Sequence, residues 1–200
     1  MDLFSNANDN LLPFDGYVNY YSSVLDNESC KNYFDVLLDS IAWKNDEVIM
    51  FGKRIITKRK TAWYALQNYT YTYSNVTKIG LPFTKELLEL KNIAEQFSNT
   101  TFNSCLLNLY HNGNEGMAWH SDDEVELGKN NTIASISLGA TRPFYFKHKK
   151  QLNKIAITLE NGSLLVMKET TQANWLHSLP ITKKVQTPRI NLTFRTIKTV

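Results

Sequence analysis

The stretch RINLTFR, residues 189–195, alternates polar and apolar side chains without interruption. This period of two predicts a β-strand, because successive side chains of a strand point to opposite faces. The apolar residues at positions 190, 192 and 194 would pack into a core. The other face would carry Arg189, Asn191, Thr193 and Arg195, and two guanidinium groups in such a row are suited to clamp carboxylates bidentately. An exposed strand could carry the same pattern as solvated charge.

Short strand patterns recur from Phe102 to the end of the chain, with turn residues between them. Asn-Gly pairs at 112–113 and 161–162 are typical of β-hairpin turns. Many short strands at regular spacing indicate a sandwich or barrel, and a double-sheet jelly roll is the natural candidate. The predicted strands are Phe102–Tyr110, Ile133–Leu138, Phe144–Lys147, Lys154–Leu159, Ser163–Met167, Asn174–Ser178 and Arg189–Thr196.

Two helices are predicted before this strand-rich region. Asp26 or Asn27 would cap a helix that runs to about Ile41, and Thr84 would cap a second helix after Pro82. In both segments the apolar residues recur at helical spacing, which predicts one buried face. With a further strand at 17–21, the predicted fold class is mainly β with flanking helices.

Three side chains far apart in the sequence form a potential metal site: His120, Asp122 and His177. Residues i and i+2 at a strand end point the same way, so His120 and Asp122 would project together. Two imidazoles and one carboxylate can occupy one face of an octahedron and leave the other open, which suits non-heme Fe(II). Zinc hydrolases use a similar set, and the arginine row favours iron with a dicarboxylate co-substrate. Asn108 and Tyr110 share a strand face that would extend the polar wall.

The amino-acid composition limits which classes of protein the chain can belong to. Two hundred residues, 42% hydrophobic and 12% aromatic, fit one domain over 1–200 with a sizeable core. A net charge of +3 is too small to name a nucleic-acid partner. Cys30 and Cys105 lie in apolar segments and are expected to be buried free thiols. Without a signal-peptide pattern, a membrane-length apolar run or a heptad seam, we expect a cytoplasmic (or, in a eukaryote, nuclear) monomer without a membrane partner.

Jointly, these motifs resemble the AlkB family of Fe(II)- and 2-oxoglutarate-dependent dioxygenases, which repair alkylated nucleobases. The resemblance runs from about Leu12 to Ile197 and is most specific at 108–110, 120–124, 133–140, 162–165, 177–180 and 188–195. It implies a double-stranded β-helix core at about 102–197, a nucleotide-recognition lid at about 45–80, and O2 as a co-substrate. It implies that iron is held by His120, Asp122 and His177, and 2-oxoglutarate by Asn108, Tyr110, Arg189, Asn191, Thr193 and Arg195.

The chain is most similar to the branch of this family that acts on double-stranded DNA. That similarity implies oxidative dealkylation of bases such as 1-methyladenine and 3-methylcytosine, with release of an aldehyde, succinate and CO2. The substrate contacts that it implies are Met50, Phe51, Gly52, Lys53, Arg59, Tyr64, Tyr71, Thr72, Tyr73, Asp123 and Glu124.

Residues 53–60 contain five cations in eight positions, for which phosphate contacts are favoured over a solvated face. Phe51 is expected to fill the stack that a flipped-out base vacates. Two alternatives stay open. The same chemistry could act on RNA or single strands, or the chain could be a module that binds lesions without turnover.

Overall fold

The computed structural model describes residues 9–50, 53–67, 70–73 and 76–198. Within these ranges there are three helices, α1 (Asn27–Ser40), α2 (Lys85–Ser98) and α3 (Thr171–Asn174), and a 3-10 turn at Val125–Leu127. The strands, in chain order, are β1 (Tyr17–Tyr21), β2 (Lys44–Met50), β3 (Lys53–Ala65), β4 (Thr70–Tyr73), β5 (Val76–Ile79), β6 (Leu81–Pro82), β7 (Ser104–Tyr110), β8 (Met117–His120), β9 (Ile133–Gly139), β10 (Arg142–His148), β11 (Lys154–Leu159), β12 (Ser163–Lys168), β13 (Trp175–Leu179) and β14 (Arg189–Arg195).

Two largely antiparallel sheets contain most strands of the described ranges. The larger sheet has the order β1-β12-β9-β14-β7-β3-β2, and β6 pairs with β3 in parallel. The smaller sheet has the order β11-β10-β13-β8, while β4 pairs with β5. Strands that follow one another in the chain therefore often lie in different sheets, as expected for a jelly roll. The predicted fold class, mainly β with flanking helices, is confirmed.

Both long helices begin where the sequence predicts. Asp26 accepts a hydrogen bond from the Ser29 N–H at 2.7 Å, and Thr84 accepts one from the Leu87 N–H at 3.3 Å. These side chains satisfy backbone donors that the first helical turn leaves without a partner. The two helices contact β9 and bury their apolar faces, including Leu37 and Leu87, against one face of the larger sheet.

The central position of β14 confirms the alternation predicted for residues 189–195. This strand lies between β7 and β9 in the larger sheet. Ile190, Leu192 and Phe194 are fully buried in the cluster that contains the two helices. The alternate residues face the smaller sheet, and Arg189 and Arg195 are only 2% and 5% exposed. The solvated alternative is therefore wrong.

The two Asn-Gly pairs do not close hairpins. Residues 112–113 lie between β7 and β8, and residues 161–162 between β11 and β12; each pair of strands is divided between the two sheets. Gly162 has φ +76°, a conformation that glycine adopts without steric cost, and Asn161 Oδ1 accepts a hydrogen bond from the Gly139 N–H at 2.8 Å. The turn chemistry was predicted correctly, but the predicted connectivity is wrong.

Cys30 and Cys105 are buried free thiols, as predicted. In the ranges that the structure describes, no helix combines the length and the apolar character needed to cross a membrane.

Candidate metal and co-substrate site

Neighbouring strands of the smaller sheet bring His120 and His177 together. His120 ends β8 and pairs directly with His177 of β13, while Asp122 lies two residues beyond the end of β8. Asp122 Oδ1 lies 3.5 Å from His120 Nε2 and 3.9 Å from His177 Nε2. The three donor atoms lie within 4.8 Å of one another, so they can share one metal ion.

The hydrogen bond of His120 and the shifted pKa values of His177 and Asp122 suit these groups to bind a metal. His120 Nδ1 lies 2.8 Å from the Ala118 carbonyl oxygen, which only accepts, so in the neutral ring Nδ1 carries the hydrogen and Nε2 keeps its lone pair. Burial lowers the pKa of His177 to about 3, so this ring is neutral at pH 7. Burial raises the pKa of Asp122, but Arg195 and the two histidines outweigh burial and lower that pKa to about 2.

This donor set fits a divalent transition metal. Two neutral imidazoles and one carboxylate are the ligands of non-heme Fe(II) sites, in which the remaining positions stay open. Asp122 is 2% exposed and His177 is 4% exposed. The cluster is therefore an interior site, unlike the exposed acidic clusters that commonly form without an ion.

A row of polar side chains from β14 lies beside the three ligands. At one end, Arg195 donates a hydrogen bond to Asp122 Oδ2 at 2.5 Å. At the other end, Arg189 donates to Asn191 Oδ1 at 2.7 Å, and Asn191 donates to Thr193 Oγ1 at 2.8 Å. The row is thus ordered by its own hydrogen bonds and contacts the metal site directly.

Arg189 has the features of a carboxylate clamp. Its side chain is 2% exposed, and its Nε has no hydrogen-bond partner among the described residues. Its guanidinium carbon lies 5.5 Å from the Tyr110 ring centroid, a cation–π distance. Burial lowers the pKa of Arg189 to about 10, which leaves it charged at neutral pH. A buried cation with a free donor favours an anionic ligand.

One cavity between the two sheets brings the nine predicted metal and co-substrate residues together. Ser135 and apolar side chains of both sheets complete its lining. The nine residues that border it are His120, Asp122, His177, Asn108, Tyr110, Arg189, Asn191, Thr193 and Arg195.

Sequence reasoning missed three polar residues that support this site. On β9, Ser137 Oγ accepts a hydrogen bond from Arg189 at 2.8 Å, and Ser135 Oγ donates a hydrogen bond to Asn191 Oδ1 at 3.0 Å. These two serines are two positions apart in the segment IASISLG, so a strand would place them on the same face, and this spacing could have identified them. Gln172 Oε1 accepts a hydrogen bond from the Asp122 N–H at 2.9 Å. No local pattern could have identified Gln172, because the contact joins distant parts of the chain.

Among the predicted substrate contacts, Asp123 and Glu124 directly follow a metal ligand. The Asp123 side chain is 62% exposed. Ser121 Oγ donates to its carboxylate at 3.0 Å, and Lys149 Nζ lies 3.7 Å from it. The contact of these two carboxylates with a base stays a prediction.

Most of the predicted lid contacts lie in or beside β2, β3 and β4. The backbones of Met50 and Lys53 pair with each other, and β4 contains Tyr71, Thr72 and Tyr73. The side chains of these five residues, and the whole of Phe51 and Gly52, lie outside the described residues.

Tyr64 lies on the other face of the larger sheet from the cavity. It is 4% exposed, belongs to the hydrophobic cluster that contains the helices, and accepts a hydrogen bond from the Ala42 N–H at 3.1 Å through its hydroxyl. It pairs with Cys105, whereas the next residue of β7, Leu106, lines the cavity. Strand alternation therefore directs Tyr64 into the core. The prediction that it is a lid residue is corrected.

Arg59 is buried as well, at 6% exposure. Its guanidinium lies 3.1 Å from Met117 Sδ and 6.0 Å from the Tyr110 ring centroid, and both neighbours line the cavity. Arg59 therefore faces the site, and its predicted place among the surface phosphate contacts of residues 53–60 is wrong. A contact of Arg59 with the substrate inside the cavity stays a prediction.

Comparison with known proteins identifies the family. The model described as the 2OG-Fe(II) oxygenase superfamily matches residues 17–195, and the chain belongs to this superfamily. Alpha-ketoglutarate-dependent dioxygenase alkB homolog 3 of Bos taurus is 38% identical over 183 residues, covering 86% of this chain and 63% of that protein. DNA oxidative demethylase ALKBH2 of Homo sapiens is 40% identical over 158 residues, covering 75% of this chain and 60% of that protein. The predicted resemblance to the AlkB family is confirmed.

The chain spans less than two thirds of the length of these two relatives. Among solved structures, one described as "The structure of OsALKBH1" superposes with a TM-score of 0.63 at 15% identity, covering 90% of this chain and 97% of that chain. At this identity the likeness shows the fold alone, and it agrees with the jelly-roll core.

Proposed function

We propose that the chain is an Fe(II)- and 2-oxoglutarate-dependent dioxygenase that removes N-alkyl groups from bases of DNA, with the duplex favoured. One observation carries the proposal. A single cavity contains three metal-ligand atoms within 4.8 Å of one another and, beside them, the buried guanidinium of Arg189 with an unpaired donor. Family membership and the names of the relatives, dioxygenase and DNA oxidative demethylase, support the same activity.

The polar side chains of the cavity would have separate tasks. His120, Asp122 and His177 would hold Fe(II), and Arg189 would bind a carboxylate of 2-oxoglutarate through charge-assisted hydrogen bonds. When bound, the metal and the keto acid supply an oxidant from O2, with succinate and CO2 as co-products. Arg195 engages Oδ2 of Asp122, which leaves Oδ1 directed at the two imidazoles. The apolar side chains of the lining would help to exclude water.

The proposed substrates are bases that N-alkylation makes cationic, such as 1-methyladenine and 3-methylcytosine. Asp123 and Glu124 directly follow Asp122, and a carboxylate near a cationic base stabilises its charge. A base inside a duplex cannot reach an interior site, so it must be flipped out at a cost of about a few kcal/mol. Damaged pairs cost less to open, which favours lesions over intact bases.

A turnover assay tests the reaction. The protein is incubated with Fe(II), 2-oxoglutarate and O2 and a 1-methyladenine oligonucleotide, and succinate, formaldehyde and the repaired base are measured. His120→Ala should abolish all three products because the metal set is incomplete. His111→Ala, in which the lost imidazole lies outside the cavity lining, should keep them. Full turnover by His120→Ala would overturn the proposal.

A second assay tests the preference for duplex DNA. The same lesion is offered in a duplex, in single-stranded DNA and in RNA. Phe51→Ala should lower duplex repair more than single-strand repair, because a wedge is needed only where a stack is vacated. Ile56→Ala, which alters an exposed apolar residue of β3, is the control. Equal losses on both substrates would contradict the wedge, and higher wild-type activity on RNA would contradict DNA as the substrate.

A further inference from the structure

Gln172 connects the two segments that carry the metal ligands. It lies in α3, which leads directly into β13 and His177. Its side chain is buried at 4% exposure, and its Oε1 accepts a hydrogen bond from the backbone N–H of Asp122 at 2.9 Å. The Gln172 amide therefore links the loop that contains Asp122 to the helix that precedes His177.

The position of Asp122 makes this contact important. Asp122 lies in an irregular segment between β8 and the 3-10 turn, and it is 2% exposed. Its backbone N–H donates to Gln172 Oε1, its carbonyl accepts from Asn131 Nδ2 at 3.4 Å, and Arg195 donates to its carboxylate at Oδ2. The contacts with Gln172 and Arg195, one at the backbone and one at the carboxylate, thus fix where Oδ1 lies relative to His120 and His177. Removing the Gln172 acceptor would leave a buried N–H unpaired, which favours movement of the loop.

The Gln172 amide is held in one orientation. Its Nε2 lies 3.4 Å from Met167 Sδ, a weak acceptor, and its backbone carbonyl accepts a hydrogen bond from Lys149 Nζ at 2.8 Å. The reversed amide would place its NH2 group against the Asp122 N–H, donor against donor. The oxygen therefore points at Asp122, and α3 is anchored on more than one side.

We infer that Gln172 is a positioning residue that sets the affinity of the site for its metal. It acts through the backbone N–H of Asp122, and it is not itself among the residues that line the cavity. Groups that orient a metal ligand in this way typically change metal affinity by about 10- to 100-fold. The inference rests on the proposed function only in taking His120, Asp122 and His177 as metal ligands.

Titration with Co(II), a redox-stable stand-in for Fe(II), tests this role without turnover. Gln172→Leu removes the acceptor at similar size, and its Co(II) dissociation constant should rise by about 10-fold or more. Asn174→Ala is the matched control, because it removes hydrogen bonds of the same short helix to the carbonyls of Asp15 and Thr170. Its Co(II) affinity should equal that of the wild type. The thermal midpoints of the metal-free variants report any general loss of stability.

Two further variants keep the inference open to refutation. Gln172→Glu retains an acceptor oxygen and should bind Co(II) better than Gln172→Leu; equal loss in both would show that the acceptor does not matter. If Gln172→Leu does not fold, Gln172→Asn replaces it, because the asparagine side chain is one carbon shorter. The same increase in the Co(II) dissociation constant is then expected. Wild-type affinity in either acceptor-deficient variant would overturn the inference. A wild type that binds no Co(II) would instead overturn the proposed function.

Discussion

Arg189 combines burial with a charge that it keeps at neutral pH, since its lowered pKa of about 10 still lies far above 7. Its planar fork of donors matches a carboxylate, whereas a lysine would offer only a point charge. The side chains that accept its hydrogen bonds, Ser137 and Asn191, carry no charge. Its charge is therefore left for a ligand.

We predict that Arg189→Met raises the KM for 2-oxoglutarate by about 30-fold or more, because losing one partner of a buried charge pair costs about 2 kcal/mol or more. Arg189→Lys should recover part of that loss. Steady-state kinetics measure the KM, and Co(II) titration should give wild-type affinity in both variants. An unchanged KM would show that the clamp lies elsewhere.

The two cysteines give a second prediction at the scale of single residues. Burial raises the pKa of both thiols, strongly so for Cys105. Since the thiolate is the reactive form, neither should react with a thiol reagent at pH 8 in the folded protein. Both should react after unfolding in denaturant. Rapid labelling of the folded chain would contradict the burial of these residues.

The N-terminus of α1 gives a prediction at the scale of elements. Hydrogen bonds from Ser29 lower the pKa of Asp26 below its ordinary value of 3.8. A lowered folded-state pKa stabilises the fold above the unfolded pKa, and this stabilisation is lost as the pH falls through the folded pKa.

Asp26→Asn keeps a capping oxygen but does not titrate, so its stability should fall less steeply than that of the wild type below pH 4. Urea unfolding at several pH values between 2.5 and 6 measures the difference. Parallel pH profiles for the two proteins would contradict the role of Asp26 as an ionised cap.

Elements also show which parts of the fold can be predicted from sequence. The two faces of β14 were predictable because one face packs into the core and the other is polar. The alternation of apolar and polar residues in the strand therefore shows which side chains are on which face. Tyr64 was placed wrongly because the face that it occupies depends on the register of β3 against β7. The Asn-Gly pairs specify turns, but they carry no information about which sheet receives the next strand.

The candidate site also contains some residues that the sequence predicts and others that it does not. The convergence of His120, Asp122 and His177 could be predicted because few residue types bind metals and their chemistry is specific. Gln172 and the burial of Arg59 could not be found, because each depends on contacts with residues about 50 or more positions away. Long-range packing determines such contacts, and it has no local signature.

Net charge gives a prediction at the scale of the whole molecule. The chain carries +3 overall, so any binding of a polyanion must come from local cations and should weaken as salt rises. Lys58 is exposed on β3, in the segment predicted to contact phosphates. Lys85 is 83% exposed at the start of α2, on the helix-bearing side of the larger sheet.

Lys58→Gln should weaken binding to a methylated duplex and reduce the slope of log affinity against log salt by about 1, as expected for one lost phosphate contact. Lys85→Gln removes the same charge and should change neither quantity. Fluorescence anisotropy at several salt concentrations measures both. Equal effects of the two variants would indicate that only overall charge matters.

The alternation of β14 also limits how this family member can change over generations. Adding or deleting one residue inside 189–195 would rotate every later side chain to the opposite face, so phenylalanine and leucine would enter the cavity while arginine entered the core. The strand can therefore diverge only by replacement at fixed length. Changes of length must accumulate in the connections outside it.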